Sequence, residues 1–220
     1  MSKISFHEIC LLWKTEKARY VKVSTMAAYS LIIQNHLEPK FRTLEDVRNR
    51  SVQDLVDAKL SDGMSIATVR GMLIVLKMIL RFGEKRGLIG HRVIDTRFPT
   101  QRIRPQIPVL SVTEEQKMLS YLAGHRSTYN LGLQICLLTG IRIGELCALK
   151  WGDVDLQSGI ISIRRTAHRV YLIDNGPKHS ELTIDYPKTA NSYRDIPVIK
   201  KLSDILREYS EEQSDETFII

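Results

Sequence analysis

Apolar positions over residues 5–86 recur at helical spacing. Ile9, Leu12 and Trp13 share a face of a segment that Ser5 can cap and that runs to about Ala18. Ser24 is placed to cap a second helix reaching about Asn35, with Pro39 beyond its end. Leu44, Val47, Val52, Leu55, Val56 and Leu60 continue the period through a third region. Ser65 opens the longest segment, to about Arg86, with Val69, Leu73, Leu76 and Leu80 inward and Gly83 and Gly87 marking its end. The pattern predicts a four-helix unit with short connections.

The period breaks at HRVIDTRFPTQRIRPQIPVL, residues 91–110, where Pro99, Pro105 and Pro108 signal a boundary. This divides the chain into domains 1–105 and 106–220. Ser111 or Thr113 can cap the next helix, which carries Glu114 and Glu115 in its first turn and runs to about Ala123. Residues 127–138 are apolar on nearly every face and predict a central helix. Thr139-Gly140 turns the chain into a third helix, from about Arg142 to just before Trp151. After Asp155 the period falls to two: Ile160, Ser162 and Arg164 alternate with Ile161, Ile163 and Arg165. Stretches 170–173, 182–186 and 193–198 read as further strands, separated by a turn at 175–177 and a loop at 187–192. Residues 199–212 form an amphipathic helix with Ile199, Leu202, Ile205, Leu206 and Tyr209 on its apolar side. The expected fold is mainly α: a four-helix domain, then an α+β region with a small antiparallel sheet. It has no βαβ series and no Gly-rich phosphate loop, which excludes the usual nucleotide-binding folds.

Charge sharpens this picture. The 220 residues carry 32 Lys and Arg against 25 Asp and Glu, a net charge of +7. Residues 1–105 hold 19 basic and 10 acidic side chains, and residues 106–220 hold 13 and 15, so the excess lies wholly in the first domain. Arg86, Arg92, Arg97, Arg102 and Arg104 face one opposing acid, Asp95, along the connector. Such a stretch suits a phosphate backbone; the alternative is a solvated linker. Cys10, Cys136 and Cys147 make no C-x-x-C pair, which argues for a reducing compartment and against a zinc site. Charges interrupt every long apolar run, and Glu8 with the early lysines breaks up a signal-peptide core. The expectation is a cytoplasmic, nucleoid-associated protein with no membrane partner, metal or cofactor.

The run with most chemical content is LLTGIRIGELCALKWGDVDL, residues 137–156. Arg142 emerges from the most apolar part of the second domain, with Glu145 one helical turn away. A guanidinium held there can grip a phosphate bidentately, or it can form a structural ion pair with Glu145.

This run resembles the first-arginine box of the tyrosine recombinase (phage integrase) family. Arg142 matches the catalytic arginine, Glu145 its acidic companion, and Trp151 and Asp153 the end of the box. Residues 1–105 resemble the family's helical, SAM-like core-binding domain, and PVLSVTEEQKMLSYL, 108–122, the entry to its catalytic domain. YPKTANSYRDIPV, 186–198, is similar to the family's β-hairpin, which places the catalytic lysine at Lys188, with Lys178 the runner-up. Arg194, in the same stretch, supports the strand or contacts a backbone phosphate.

The resemblance implies double-stranded DNA as partner, assembly of copies on it, and strand exchange without a nucleotide cofactor. A tyrosine attacks a phosphodiester, a 3′-phosphotyrosine forms, and the lysine protonates the leaving 5′-hydroxyl. The chain departs from the family after the hairpin. None of the histidines at 7, 36, 91, 125, 168 and 179 has an arginine three residues on, and Tyr209 lies on the apolar face of a helix. The 220 residues are therefore expected to be a catalytically incomplete recombinase, truncated before the His-x-x-Arg and nucleophilic tyrosine motifs. The alternative is a non-catalytic DNA-binding protein derived from one.

Overall fold

The computed structural model describes residues 4–100, 107–172, 179–186, 192–210 and 213–220. It divides into two compact units, Met1–Arg104 with Val170–Ser180, and Pro105–Arg169 with Glu181–Ile220.

The first unit is helical. Helix α1 (Phe6–Lys17) starts where Ser5 and Glu8 form a reciprocal capping box. Phe6, Ile9, Cys10 and Trp13 define its buried face. Leu12 lies off that face and is half exposed, contrary to the expected grouping. Helix α2 (Val23–Ile32) has its N-cap at Lys22, two residues before the expected Ser24, and Lys22 makes no side-chain cap. A π-helical turn, Ile33–Leu37, extends it toward Pro39. Helix α3 spans Asn49–Ser61 and α4 spans Ile66–Lys85, the latter capped by the Ser65 hydroxyl on the Thr68 N–H. Helix α4 runs straight through Gly83, whose missing side chain admits Ile9 and Leu44; Gly87, at φ 68°, follows its end. The core joins Phe6, Ile9, Leu37, Phe41, Leu76 and Ile79, all under 3% exposed.

The second unit opens with two serine-capped helices. Helix α5 (Val112–Gly124) is capped by a Ser111–Glu114 box, and α6 (Thr128–Thr139) by Ser127. Leu131, Gln134 and Ile135 are buried, but Tyr129 and Leu133 are exposed, so α6 is covered on one side rather than all round. Gly140 closes α6 in the left-handed region at φ 67°, which an L side chain adopts only with strain. Helix α7 (Ile143–Leu146) is a single turn, shorter than the sequence suggests.

The small sheet is in fact two. Strands β1 (Val154–Asp155), β2 (Ile160–Ile163) and β5 (Arg194–Pro197) form one antiparallel sheet in the order β1-β2-β5. Strands β3 (Thr166–Leu172) and β4 (His179–Asp185) form the other. β3 begins four residues before the expected Val170, and β1 was not expected because two residues carry no readable period. Helix α8 (Lys200–Ser210) buries Leu202 and Leu206. Residues 214–220 then fold back along the segment after α7. Trp151 N–H donates to the Thr217 carbonyl, and Ile219 N–H to that of Leu149, each at 3.0 Å. Ile219 thereby enters a core with Leu131, Ile135, Leu149, Ile161, Ile163 and Leu202. Among the described residues, no helix is long and apolar enough to cross a membrane.

Because Ile219 is 2% exposed, Ile219→Ala should cost about 2–4 kcal/mol through lost burial and a cavity. Denaturant unfolding of the 220-residue chain checks this; a change within 0.5 kcal/mol would show the fold-back to be dispensable.

Candidate functional site

Gly140 ends α6, and Ile141, 5% exposed, anchors the chain into the core. Arg142 follows in extended conformation as the cap of α7 (φ −73°, ψ 147°). Its backbone N–H donates to Glu145 Oε2 at 2.9 Å, the reach-back half of a capping box. Its Nη1 donates to Glu145 Oε1, also at 2.9 Å. The side chain of Arg142 is nonetheless 75% exposed, whereas that of Glu145 is 6% exposed.

Glu145 is held from the other side by the sheet. In the β2–β5 ladder Ile163 pairs with Arg194 and Ser162 with Asp195. Directly paired residues share a face, so Arg194 lies on the side of buried Ile163 and Asp195 on the opposite side. Arg194 Nη1 reaches Glu145 Oε1 at 2.9 Å and Nη2 reaches Oε2 at 2.8 Å, a fork-to-fork pair. On the other face Asp195 accepts from Ser162 Oγ (2.8 Å) and Arg164 Nη2 (2.6 Å).

Glu145 therefore accepts four N–H donors, enough to satisfy both carboxylate oxygens. Its pKa falls from the ordinary 4.5 to about 2, chiefly because Arg194 bonds the ionised form, with Arg142 adding backbone and side-chain bonds against the opposing effect of burial. Two guanidiniums share one carboxylate, so the site keeps a net positive charge, and Arg142 is its exposed part.

Backbone packing fixes this geometry. A Cβ on Gly144 would sit 2.6 Å from the Ala167 carbonyl oxygen and 2.8 Å from Thr166 Oγ1, where β3 begins. Only glycine allows α7 to lie this close to β3. Trp151 is 8% exposed, and Asp153 accepts the Lys150 N–H at 2.9 Å while pairing with Arg165. These two residues brace the segment after α7.

The connector arginines behave differently from one another. Arg86 pairs with Glu16 at 2.7 Å and lies over the Phe82 ring. Arg92 is half-buried, and its Nη1 donates to the Leu44 and Val47 carbonyls, each at 3.1 Å. Arg97 has an exposed side chain, and its backbone exchanges hydrogen bonds with Gln53. Asp95 N–H meets Asn49 Oδ1 at 3.2 Å, so residues 92–97 are strapped to the first unit. Arg102, Arg104, Lys178 and Lys188 lie outside the described residues. Arg194, expected either to support the strand or to contact a backbone phosphate, bonds Glu145, a partner the sequence does not reveal. Their separation of 49 positions leaves no spacing signal, and only strand register brings them together.

Residues 108–219 match the model described as the phage integrase family, and residues 5–60 match its N-terminal SAM-like domain. The chain belongs to the phage integrase family. It is 27% identical over 177 residues to a XerC-like tyrosine recombinase of Caldanaerobacter subterraneus subsp. tengcongensis, covering 77% of this chain and 45% of that protein. It is 30% identical over 146 residues to prophage integrase IntR of Escherichia coli K12, covering 66% and 32%. The chain thus spans less than half the length of these two relatives. Among solved structures, the Tn1549 transposon integrase in complex with transposon right end DNA aligns with a TM-score of 0.74 at 19% identity, over 96% of this chain and 70% of that one. A λ integrase dimer bound to a COC′ core site aligns with a TM-score of 0.60 at 19% identity, over 97% and 57%. These likenesses establish a shared fold.

The folded pKa of Glu145 lies below its ordinary value, so its pairing stabilises the chain above about pH 4.5, a contribution lost as pH falls toward 2. Glu145→Gln should cost about 2–3 kcal/mol at pH 7, and the gap from wild type should narrow by pH 3 in denaturant unfolding. Gly144→Ala should lower stability by about 1–3 kcal/mol by overpacking, and a crystal structure should show α7 displaced from β3. An undisplaced α7 at unchanged stability would disprove the close-approach argument.

Proposed function

We propose that this chain is the DNA-binding and proximal catalytic part of a site-specific tyrosine recombinase. Residues 1–105 act as the core-binding domain that grips double-stranded DNA, and residues 106–220 as the first part of the catalytic domain. The observation that carries the reading is Arg142, an exposed guanidinium fixed by a buried, fully bonded carboxylate. Such a cation binds a non-bridging phosphate oxygen without having to be ordered first. In the family's reaction a tyrosine hydroxyl attacks the phosphodiester, the 3′-phosphotyrosine conserves the bond energy, and the 5′-hydroxyl leaves. Arg142 stabilises the charge developing on phosphorus's oxygens, and Lys188 protonates the leaving oxygen.

No residue of this chain is assigned the nucleophile's role. Tyr209 stacks under the Arg126 guanidinium at 4.5 Å and its hydroxyl donates to the Ser127 carbonyl at 3.4 Å, a packing position. These 220 residues bind DNA without cutting it. Copies assemble side by side on the duplex, in keeping with the dimer named for λ integrase, and the work is done in the cytoplasm, on the nucleoid.

Fluorescence anisotropy with duplex DNA across salt concentrations tests this. Binding should weaken linearly in the logarithm of salt, and Arg142→Ala should reduce the slope by about one and the affinity roughly five- to tenfold at 0.15 M salt. Binding that ignores salt would overturn the reading. A stable covalent adduct on nicked duplexes that disappears in Tyr209→Phe would instead make Tyr209 the nucleophile.

A further inference from the structure

We infer that Arg194 is a positioning residue for Arg142, acting through Glu145, and not a DNA ligand in its own right. The inference rests on the proposed role of Arg142 as a phosphate ligand and extends it to a residue 52 positions later.

The two guanidiniums treat the same carboxylate differently. Arg194 offers both Nη groups, one to each oxygen, at 2.9 and 2.8 Å. Arg142 offers a single side-chain bond, Nη1 to Oε1, and the remainder of its fork stays in solvent, giving 75% exposure against 32% for Arg194. A carboxylate that is 6% exposed demands that its oxygens be satisfied. With Arg194 absent, the nearest cation able to satisfy them is Arg142. Its fork would turn inward and close on Glu145 bidentately. Arg194 removes that demand from the sheet side, so Glu145 can tether Arg142 by one bond without capturing it. The end-on tether leaves the guanidinium edge free for an incoming phosphate.

Strand register makes Arg194 suited to this task. Its pairing with Ile163 fixes it on the buried side of the β2–β5 sheet, and its own carbonyl accepts from Arg164 Nη1 at 3.4 Å. Arg164 itself is engaged with Asp195 on the other face. Swinging Arg194 out to DNA would strip both oxygens of Glu145 of their strongest donors.

Lysine at position 194 separates the two roles. It keeps the charge, so a residue that meets DNA as a cation would tolerate it, but it has no fork and cannot cover both oxygens. Arg194→Lys, Arg142→Ala and the double variant are compared in the 220-residue chain, with circular dichroism confirming that each is folded. Arg194→Lys should weaken duplex binding to within about threefold of Arg142→Ala, and in the double variant the second substitution should add less than about twofold. Arg194→Lys with wild-type affinity, beside a weakened Arg142→Ala, overturns the inference. So do fully additive losses with a salt slope reduced by about two, the sign of two separate phosphate contacts.

A DNA-free measurement keeps the test decisive if Arg194→Lys proves unstable or Arg142 proves not to meet DNA. Nitrogen-15 NMR of the arginine side chains, assigned with Arg142→Ala, reports how Arg142 Nη groups are held. Arg194→Lys, or Arg194→Gln as the second variant, should change their exchange rate as the end-on tether becomes bidentate. Unchanged Arg142 signals in a folded variant at position 194 would refute positioning, whatever the duplex data show. Loss of the DNA effect of Arg142→Ala alone would count against the phosphate role and leave the positioning result standing.

Discussion

The second unit depends on a carboxylate that has every oxygen lone pair answered. Glu145 is nearly buried, and an ionised carboxylate in that position is tolerable only with charged partners and hydrogen bonds. It receives the Arg142 backbone N–H, one Arg142 Nη and both Nη groups of Arg194. Those bonds link a one-turn helix that could not persist alone to a strand 49 residues away. Other elements of the unit are held to the same point. β2 sets the register of β5, β3 backs onto Gly144, and residues 214–220 close over the segment after α7. A shift in any of these moves one of the two arginines relative to the carboxylate.

This arrangement explains why the fold invests so much backbone geometry in a short stretch. Gly140 turns the chain out of α6 in a left-handed conformation, Ile141 plugs the core, Arg142 caps α7, and Gly144 lets β3 approach to contact distance. Each residue has a different local reason to be what it is, and together they leave the Arg142 guanidinium in solvent, beside the exposed Ile143. Tethering its guanidinium in advance lowers the entropy that must be lost when an anion is bound.

Much of this was legible in the chain itself. Ser5 and Ser111 cap helices as their place just ahead of an amphipathic run suggests, and Ser65 and Ser127 stand where helices are expected to start, whereas Ser24, similarly placed, lies inside α2. The turn–arginine–glutamate spacing located Arg142 and Glu145 because residues three apart on a helical turn are neighbours by geometry alone. What was hidden depended on register or on backbone contact. Arg194 reads as one more polar residue in a strand until its pairing with Ile163 is known. Gly144 reads as a weak helix residue until Ala167 is seen against it. The start of α2 leaves no signature because Lys22 makes no side-chain cap at the helix N-terminus, and the two-residue β1 is too short to show a period.

The first unit shows the limit of counting charge. Its sequence excess of +9 includes arginines with internal duties. Arg92 holds two carbonyls of the turn ahead of α3, Arg86 is paired with Glu16, and Arg70 lies over Phe98 at 5.0 Å. Arg92 is half-buried in that role, and moving it to a phosphate would leave the Leu44 and Val47 carbonyls short of a donor. The same logic governs Arg194 in the second unit. In both, formal charge measures the long-range field that draws a polyanion in, while the contacts that hold it come from cations with unoccupied donors. Arg142 meets that condition through its exposure, and Arg97 through a side chain left in solvent while its backbone is strapped to Gln53. A basic side chain anchored at its backbone and free at its tip is ready for a phosphate. One whose tip is already bonded belongs to the fold.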